Sequence, residues 1–224
     1  MTLGDRLELG YGYNRLGLES LNDDIQDATG VDIEDSVEMH NLNARLALLK
    51  ENAFGQGWTP AITAGVHGKL NTTINDIDDR LGGTLESSGI EDENGADYTL
   101  YATKLLKFLP RPLLVNAGVR STKAAHNGLL GFTDERRTLF EGNLVLFATD
   151  RLMFGAEYRQ KPDEYTPVPG PSGDLVGPED DWMSLVAAYV VNNNLTVSGG
   201  AFYFGEVLNE PENVSLGVKT KYEF

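Results

Sequence analysis

The chain contains no cysteine. That removes disulfide frames, thiolate metal sites and cysteine nucleophiles from consideration. It also has no apolar run of the roughly 18 residues that a membrane-spanning helix needs. Its opening stretch, "MTLGDRLELG", shows neither a basic leader nor an apolar segment, so no signal peptide is expected within it. Positive charge is scarce: 18 Lys and Arg stand against 34 Asp and Glu, for a net charge of −16. Such a balance repels phosphates and argues against nucleic acid as a partner. Histidine is scarce as well, limited to His40, His67 and His126. Neither Ser36 nor Ser121 lies at a recognisable spacing from any of them, so a hydrolase has no placed nucleophile and base, and no enzymatic activity is expected.

What remains is a chain of 224 residues with an ordinary apolar fraction of 41%, read as one domain spanning residues 1–224. The acids are unevenly placed. Residues 14–38 and 71–97 each carry eight acids and one base, and residues 160–181 carry six acids and one base. The rest of the chain is mildly basic.

Alternation of apolar and polar residues recurs throughout, and period two is the strand signal. Leu7, Leu9, Tyr11 and Tyr13 alternate with Glu8, Gly10, Gly12 and Asn14. Similar runs begin near Asn41, Ile62, Asp97, Leu113, Phe140, Phe154, Trp182 and Leu195, and the last is "VSLGVKTKYEF". That makes ten strands, most about 9–11 residues long, the length that crosses a bilayer when tilted. In "DYTLYATKLLK" either parity carries a charge. Thr99, Tyr101, Thr103 and Leu105 are placed outward there, which turns Lys104 inward. No helical period competes.

The connections alternate too. Residues 14–38, 71–97, 121–137, 160–181 and 205–213 are long, whereas 50–59, 108–112, 148–151 and 192–194 are short. In an up-and-down meander all long connections then share one end. A sheet in lipid must pair every backbone group and so must close. Even strand number, loop-length asymmetry, apolar-out alternation and aromatics at strand ends mark outer-membrane barrels. The expected fold is therefore all-β: an antiparallel up-and-down transmembrane β-barrel of about ten strands. Tyr11, Tyr13, Tyr98 and Trp182 are expected in a girdle at the loop end. Phe108, Phe147, Tyr189, Tyr222 and Phe224 are expected at the turn end. The closing alternation with Tyr222 and Phe224 resembles the assembly signal that the barrel-assembly machinery recognises. A soluble sandwich also alternates, but gives no reason for the loop order.

The segment "YATKLL…LLVNAGVRSTKAAHNGLLGF…FGAEYRQKPDEY…EDDW" is similar to a proteobacterial family of uncharacterised outer-membrane β-barrel proteins, over roughly residues 95–224. Members carry a signal peptide and a further N-terminal hairpin. "TLGDRLELGY" resembles an internal turn and strand of theirs, so the resemblance implies about twelve strands and an N-terminal segment missing from this chain. It implies no activity.

The inward faces supply the candidate site. Bases there are Arg45, Lys69, Lys104, Arg120, Arg159, Lys219 and Lys221; acids are Glu8, Glu141 and Glu157; His67 joins them. Either these charges pair and fill a narrow interior, or they line a wet cationic pore that favours anions. Asp76, Asp78 and Asp79 are weak metal candidates without the spacing of a calcium loop, so no cofactor is expected. An acidic loop over residues 76–94 folded across the mouth is a further expectation. Lys123, His126, Arg136 and Arg137 sit in the basic third loop, facing lipopolysaccharide phosphates or pairing with neighbouring acids. Three functions follow: a porin-like narrow channel for small anionic or polar solutes in the outer membrane of a Gram-negative bacterium; a non-conducting structural or interaction barrel presenting acidic loops; and an embedded hydrolase. The expected partners are outer-membrane lipid, lipopolysaccharide and the assembly machinery.

Overall fold

A computed structural model describes residues 2–3, 5–18, 22–23, 25–27, 30–162, 168–170, 173–176, 180–207, 210–211 and 214–223. Ten long strands form one sheet: β1 (Leu7–Gly17), β2 (Ser36–Leu49), β3 (Ala61–Asn71), β4 (Asn94–Leu106), β5 (Leu113–Ala124), β6 (Phe132–Phe147), β7 (Leu152–Arg159), β8 (Trp182–Val190), β9 (Leu195–Tyr203) and β10 (Ser215–Tyr222). They follow one another in chain order, each antiparallel to the next, with the short Thr2–Leu3 paired before β1. The fold is thus all-β and up-and-down, as the alternation requires. Among the described residues no ladder joins β10 to β1. The sheet nevertheless curls, since Gly12 of β1 and Trp182 of β8 line one cavity.

Burial is inverted relative to a water-soluble sheet. Leu42 is 66% exposed, Leu185 67% and Leu216 84%, whereas Asp97 is 2% exposed and Arg120 4%. Exposed apolar side chains recur on the convex face of each long strand, and charged ones are buried on the concave face. Large apolar side chains are thus exposed on strand after strand, beyond the single scattered ones that need no explanation.

The long connections gather at one end as expected, with one correction. The third is shorter than residues 121–137, because β5 and β6 continue pairing through a register shift until Ala124 meets Phe132. Residues 125–131 alone make the loop. Nearby, the Phe132 ring is fully buried and lies where a Cβ on Gly95 would stand, so only glycine fits there.

Two short helices, α1 (Ile74–Arg80) and α2 (Thr84–Ser87), stand where the sequence shows only an acidic loop. They are too short to display a helical period. Their apolar residues join the two buried hydrophobic clusters found among the described residues. Ile74, Leu85 and Ile90 pack with Ala125 and Leu130, while Ile77 packs with Leu18, Ile25, Ile33 and Val37. The acidic loop thus packs against the first and third loops, and none of residues 76–94 lines the interior cavities. The segment nearest the interior is residues 125–131: Lys69 Nζ donates to the Asn127 carbonyl at 2.9 Å. Asn71 pins this cap. Its amide donates to the carbonyls of Gly128 (3.0 Å) and Leu129 (2.8 Å), and its oxygen accepts from the Ile74 N–H (3.0 Å). Arg80 ties the first loop in, donating to the Asp32 carbonyl and to Glu34, both at 3.0 Å.

Asn71→Leu takes away the Asn71 bonds to the Leu129 carbonyl and the Ile74 N–H, at about 1–3 kcal/mol for each such group, while the Gly128 carbonyl keeps the Gly131 N–H. Hydrogen exchange should quicken over residues 74–90 and 125–131 while β5 to β8 stay protected. His126, buried in the same cap, has its imidazole pKa pushed down to about 3, first by desolvation and then by the Lys161 ammonium. Its folded form holds off a proton that the unfolded chain takes up. The cap is therefore fully stable above the ordinary value of 6.5 and loses stability as pH falls from there toward 3. His126→Asn tolerates the residue's positive φ of 44° and should flatten that pH dependence in a thermal melt.

Candidate functional site: an ionic neck between two chambers

Period two sends alternate residues of each strand to the concave face, and register decides which of them meet. His67 of β3 stands opposite Asp97 of β4. Tyr101, Gly118, Glu141, Arg159 and Trp182 form one row across β4 to β8. The register thereby assembles a chain of alternating charge. Lys69 Nζ lies 2.7 Å from Asp97, and Arg120 reaches Asp97 at 3.6 Å and Glu141 at 2.6 Å. Arg159 lies 3.0 Å from Glu141 and 3.7 Å from Glu157. The Tyr101 hydroxyl also donates to Glu141, and the Thr122 hydroxyl to Asp97. The Tyr101 ring lies over Gly118, in the space a Cβ there would fill.

Two polar cavities flank this chain. The one toward the turn end has about 450 Å³ and is lined by Arg45, Thr63, Thr103, Asn116, Asn143 and Glu157. The one under the cap has about 500 Å³ and is lined by Asn41, Lys69, Asp97, Arg120, Asn127 and Trp182, among others. His67, Tyr101, Glu141 and Arg159 line both. Those four side chains form the neck between the lower and upper chambers.

Of the residues expected inside, Arg45, His67, Lys69, Arg120, Glu141, Glu157 and Arg159 line the chambers. Glu8 pairs with Arg45 at 3.2 Å, half exposed. Lys219 and Lys221 are exposed on the outermost strand and line neither chamber, and Lys221 pairs with Glu223 at 2.7 Å.

The parity of β4 is the reverse of that expected. Asp97, Thr99, Tyr101 and Thr103 face inward, and Tyr98 and Leu100 face out at 54% and 48% exposure. Lys104 instead reaches the rim, pairing with Glu51 at 3.0 Å and donating to Asn52. There a hydrogen bond from the Leu105 N–H, and then Lys104, hold the Glu51 carboxyl below its usual range. With Asp97 inside and Lys104 outside, the neck is balanced rather than strongly cationic. Trp182 leaves the expected girdle for the same reason: Met183 and Leu185 take the outer face and turn it inward.

The loop candidates resolve differently. Asp78 caps α2, accepting from the N–H groups of Leu85 (2.6 Å) and Glu86 (3.2 Å). Among the described residues no group of three His, Asp or Glu could hold a metal, Asp76 and Asp79 included. Lys123 pairs with Asp134 at 3.7 Å and Arg137 with Glu135 at 3.6 Å. Arg136 lies over the Tyr98 ring, 4.9 Å from its centre. Tyr222 ends β10 at 58% exposure, and Phe224 lies outside the described residues.

Over residues 1–218 the chain matches a family described as "Protein of unknown function (DUF3034)". The chain belongs to that family. The match reaches well upstream of the region that carries the resemblance noted above. No curated protein and no solved structure matches.

The DUF3034 chain holds its neck by shared carboxylates, and a buried charge stripped of its partner is costly. Glu141→Leu should lose about 3–5 kcal/mol in urea unfolding, because Arg120 and Arg159 are left facing each other. Glu8→Gln, at a half-exposed pair, should stay within about 1 kcal/mol.

Proposed function

We propose that this protein is an outer-membrane β-barrel whose polar interior is a narrow, porin-like path for small anionic or polar solutes, held shut at the ionic neck. The observation that carries this reading is the inverted burial: apolar side chains outside, an ion-paired row inside. Strands of 8–16 residues suit a bilayer that tilted strands cross in about 9–11. Exposed Tyr11, Tyr13 and Tyr98 at the loop end, and Phe54, Trp58 and Phe108 at the turn end, suit the two headgroup levels. In lipid the two outer edges of the sheet, at β10 and at β1 beyond its short pairing with Thr2–Leu3, must be satisfied within protein. The lipid-facing belt, the acidic loop end near lipopolysaccharide, and the terminal strand offered to the barrel-assembly machinery complete the reading. No enzymatic role is proposed.

A second reading has its own support. The cap has a hydrophobic core and is pinned to β3, which suits a non-conducting barrel that presents a rigid loop surface.

The test is a pair of measurements on the refolded chain. Unboiled protein should migrate differently from boiled protein on an SDS gel, as a closed barrel does; identical migration sinks the barrel. Planar-bilayer recording in a KCl gradient should then show small conductance with chloride preferred, and Arg159→Glu should diminish or reverse that preference. A closed barrel that never conducts favours the second reading.

A further inference from the structure

We infer that the upper chamber is a saturable binding site for a small organic carboxylate. This rests on reading the strand interior as a water-accessible lumen.

The first observation is a set of orphaned polar atoms. Asn41 Nδ2, His67 Nε2, Thr99 Oγ1, Asn127 Nδ2 and Trp182 Nε1 are buried without a hydrogen-bond partner, and all five residues line this one chamber. They come from β2, β3, β4, the 125–131 loop and β8, so they surround it. An indole N–H and an amide NH₂ only donate. A folded protein tolerates few such groups, and each left unmet costs about 1–3 kcal/mol. Gathered around a single cavity, they mark where an acceptor belongs.

The two carboxylates that face the chamber are already engaged. Asp97 already accepts from Lys69 and Thr122, and Glu141 accepts from Arg120 and Tyr101 and is ion-paired with Arg159 at 3.0 Å. The charge balance points the same way: Lys69, Arg120 and Arg159 face the chamber against Asp97 and Glu141, with Arg15 at its edge. An incoming anion therefore meets three bases against two acids. Leu16, Met39 and Leu129 also line the chamber and offer contact to an apolar body. Its volume of about 500 Å³ lies within the usual range for small-molecule sites. Acceptor oxygens, negative charge and an apolar body together describe an organic carboxylate rather than a bare inorganic ion.

The test is calorimetric titration of the full chain, folded in detergent, with three probes. Benzoate carries charge and ring, benzyl alcohol the ring alone, and inorganic phosphate the charge alone. Benzoate should saturate, with the other two at least about tenfold weaker. Asn41→Leu removes one orphaned donor, so it should keep or raise the melting temperature while weakening benzoate about tenfold.

No saturable heat with benzoate, meaning a chamber filled by water alone, overturns the inference. Equal affinity for benzyl alcohol or for phosphate, or a folded Asn41→Leu that binds as tightly as the natural chain, overturns it too. Should Asn41→Leu fail to fold, the three probes on the natural chain decide. Conductance without benzoate saturation removes this site and leaves the channel. Saturation without conductance removes the channel and leaves the site.

Discussion

The Glu141 carboxylate is shared by Arg120 and Arg159 and accepts from the Tyr101 hydroxyl, so side chains from β4, β5, β6 and β7 meet at one buried acid. A curved sheet that turns its apolar face outward has no hydrophobic core to hold its interior. Charge pairing must do that work, and it succeeds only where each buried ion is answered. The alternating run from Lys69 through Asp97, Arg120, Glu141 and Arg159 to Glu157 meets that condition across five strands. Its geometry follows from register. Tyr101 reaches Glu141 only because Gly118 lets the ring lie flat between them.

The hydrophobic core lies elsewhere, in the cap. Loops that read as solvated acid carry isoleucines and leucines spaced among their carboxylates, and these pack over the end of the sheet. The acids stay on the surface, so the negative charge and the apolar core are two faces of the same segments. Asn71 joins cap to wall through bonds in both directions, and residues 125–131 place peptide carbonyls over Lys69. Packing thus holds one end together and ion pairs cross the middle. The residues carrying the orphaned polar atoms line the chamber between cap and neck.

Much of this was legible before any coordinates. Period two is a local property, and Leu113, Val115, Ala117 and Val119 against Asn116, Gly118 and Arg120 state their faces unaided. Loop lengths are equally local, and they ordered the two ends of the meander. Where local pattern was silent, the reading missed. "DYTLYATKLLK" carries a charge on both faces, so only the pairing of His67 with Asp97 could choose between them. The same ambiguity hid Tyr101 and sent Lys104 to the wrong place. Aromatics at strand ends usually sit in a girdle, yet Trp182 turns inward because its neighbour Met183 takes the outer position. The helices α1 and α2 were invisible because one or two turns leave no period.

The sequence by itself determined the strand count, the antiparallel order, the outward apolar face and the split between long and short connections. Each depends on residues near one another in the chain. Tertiary structure alone decided which charges answer one another, that Asp97 faces the upper chamber, that the acidic loops build a packed cap, and that Asn41, Asn127 and Trp182 line one chamber. Those outcomes depend on register between strands far apart in sequence, and a shift of a single residue would exchange every inward side chain for an outward one.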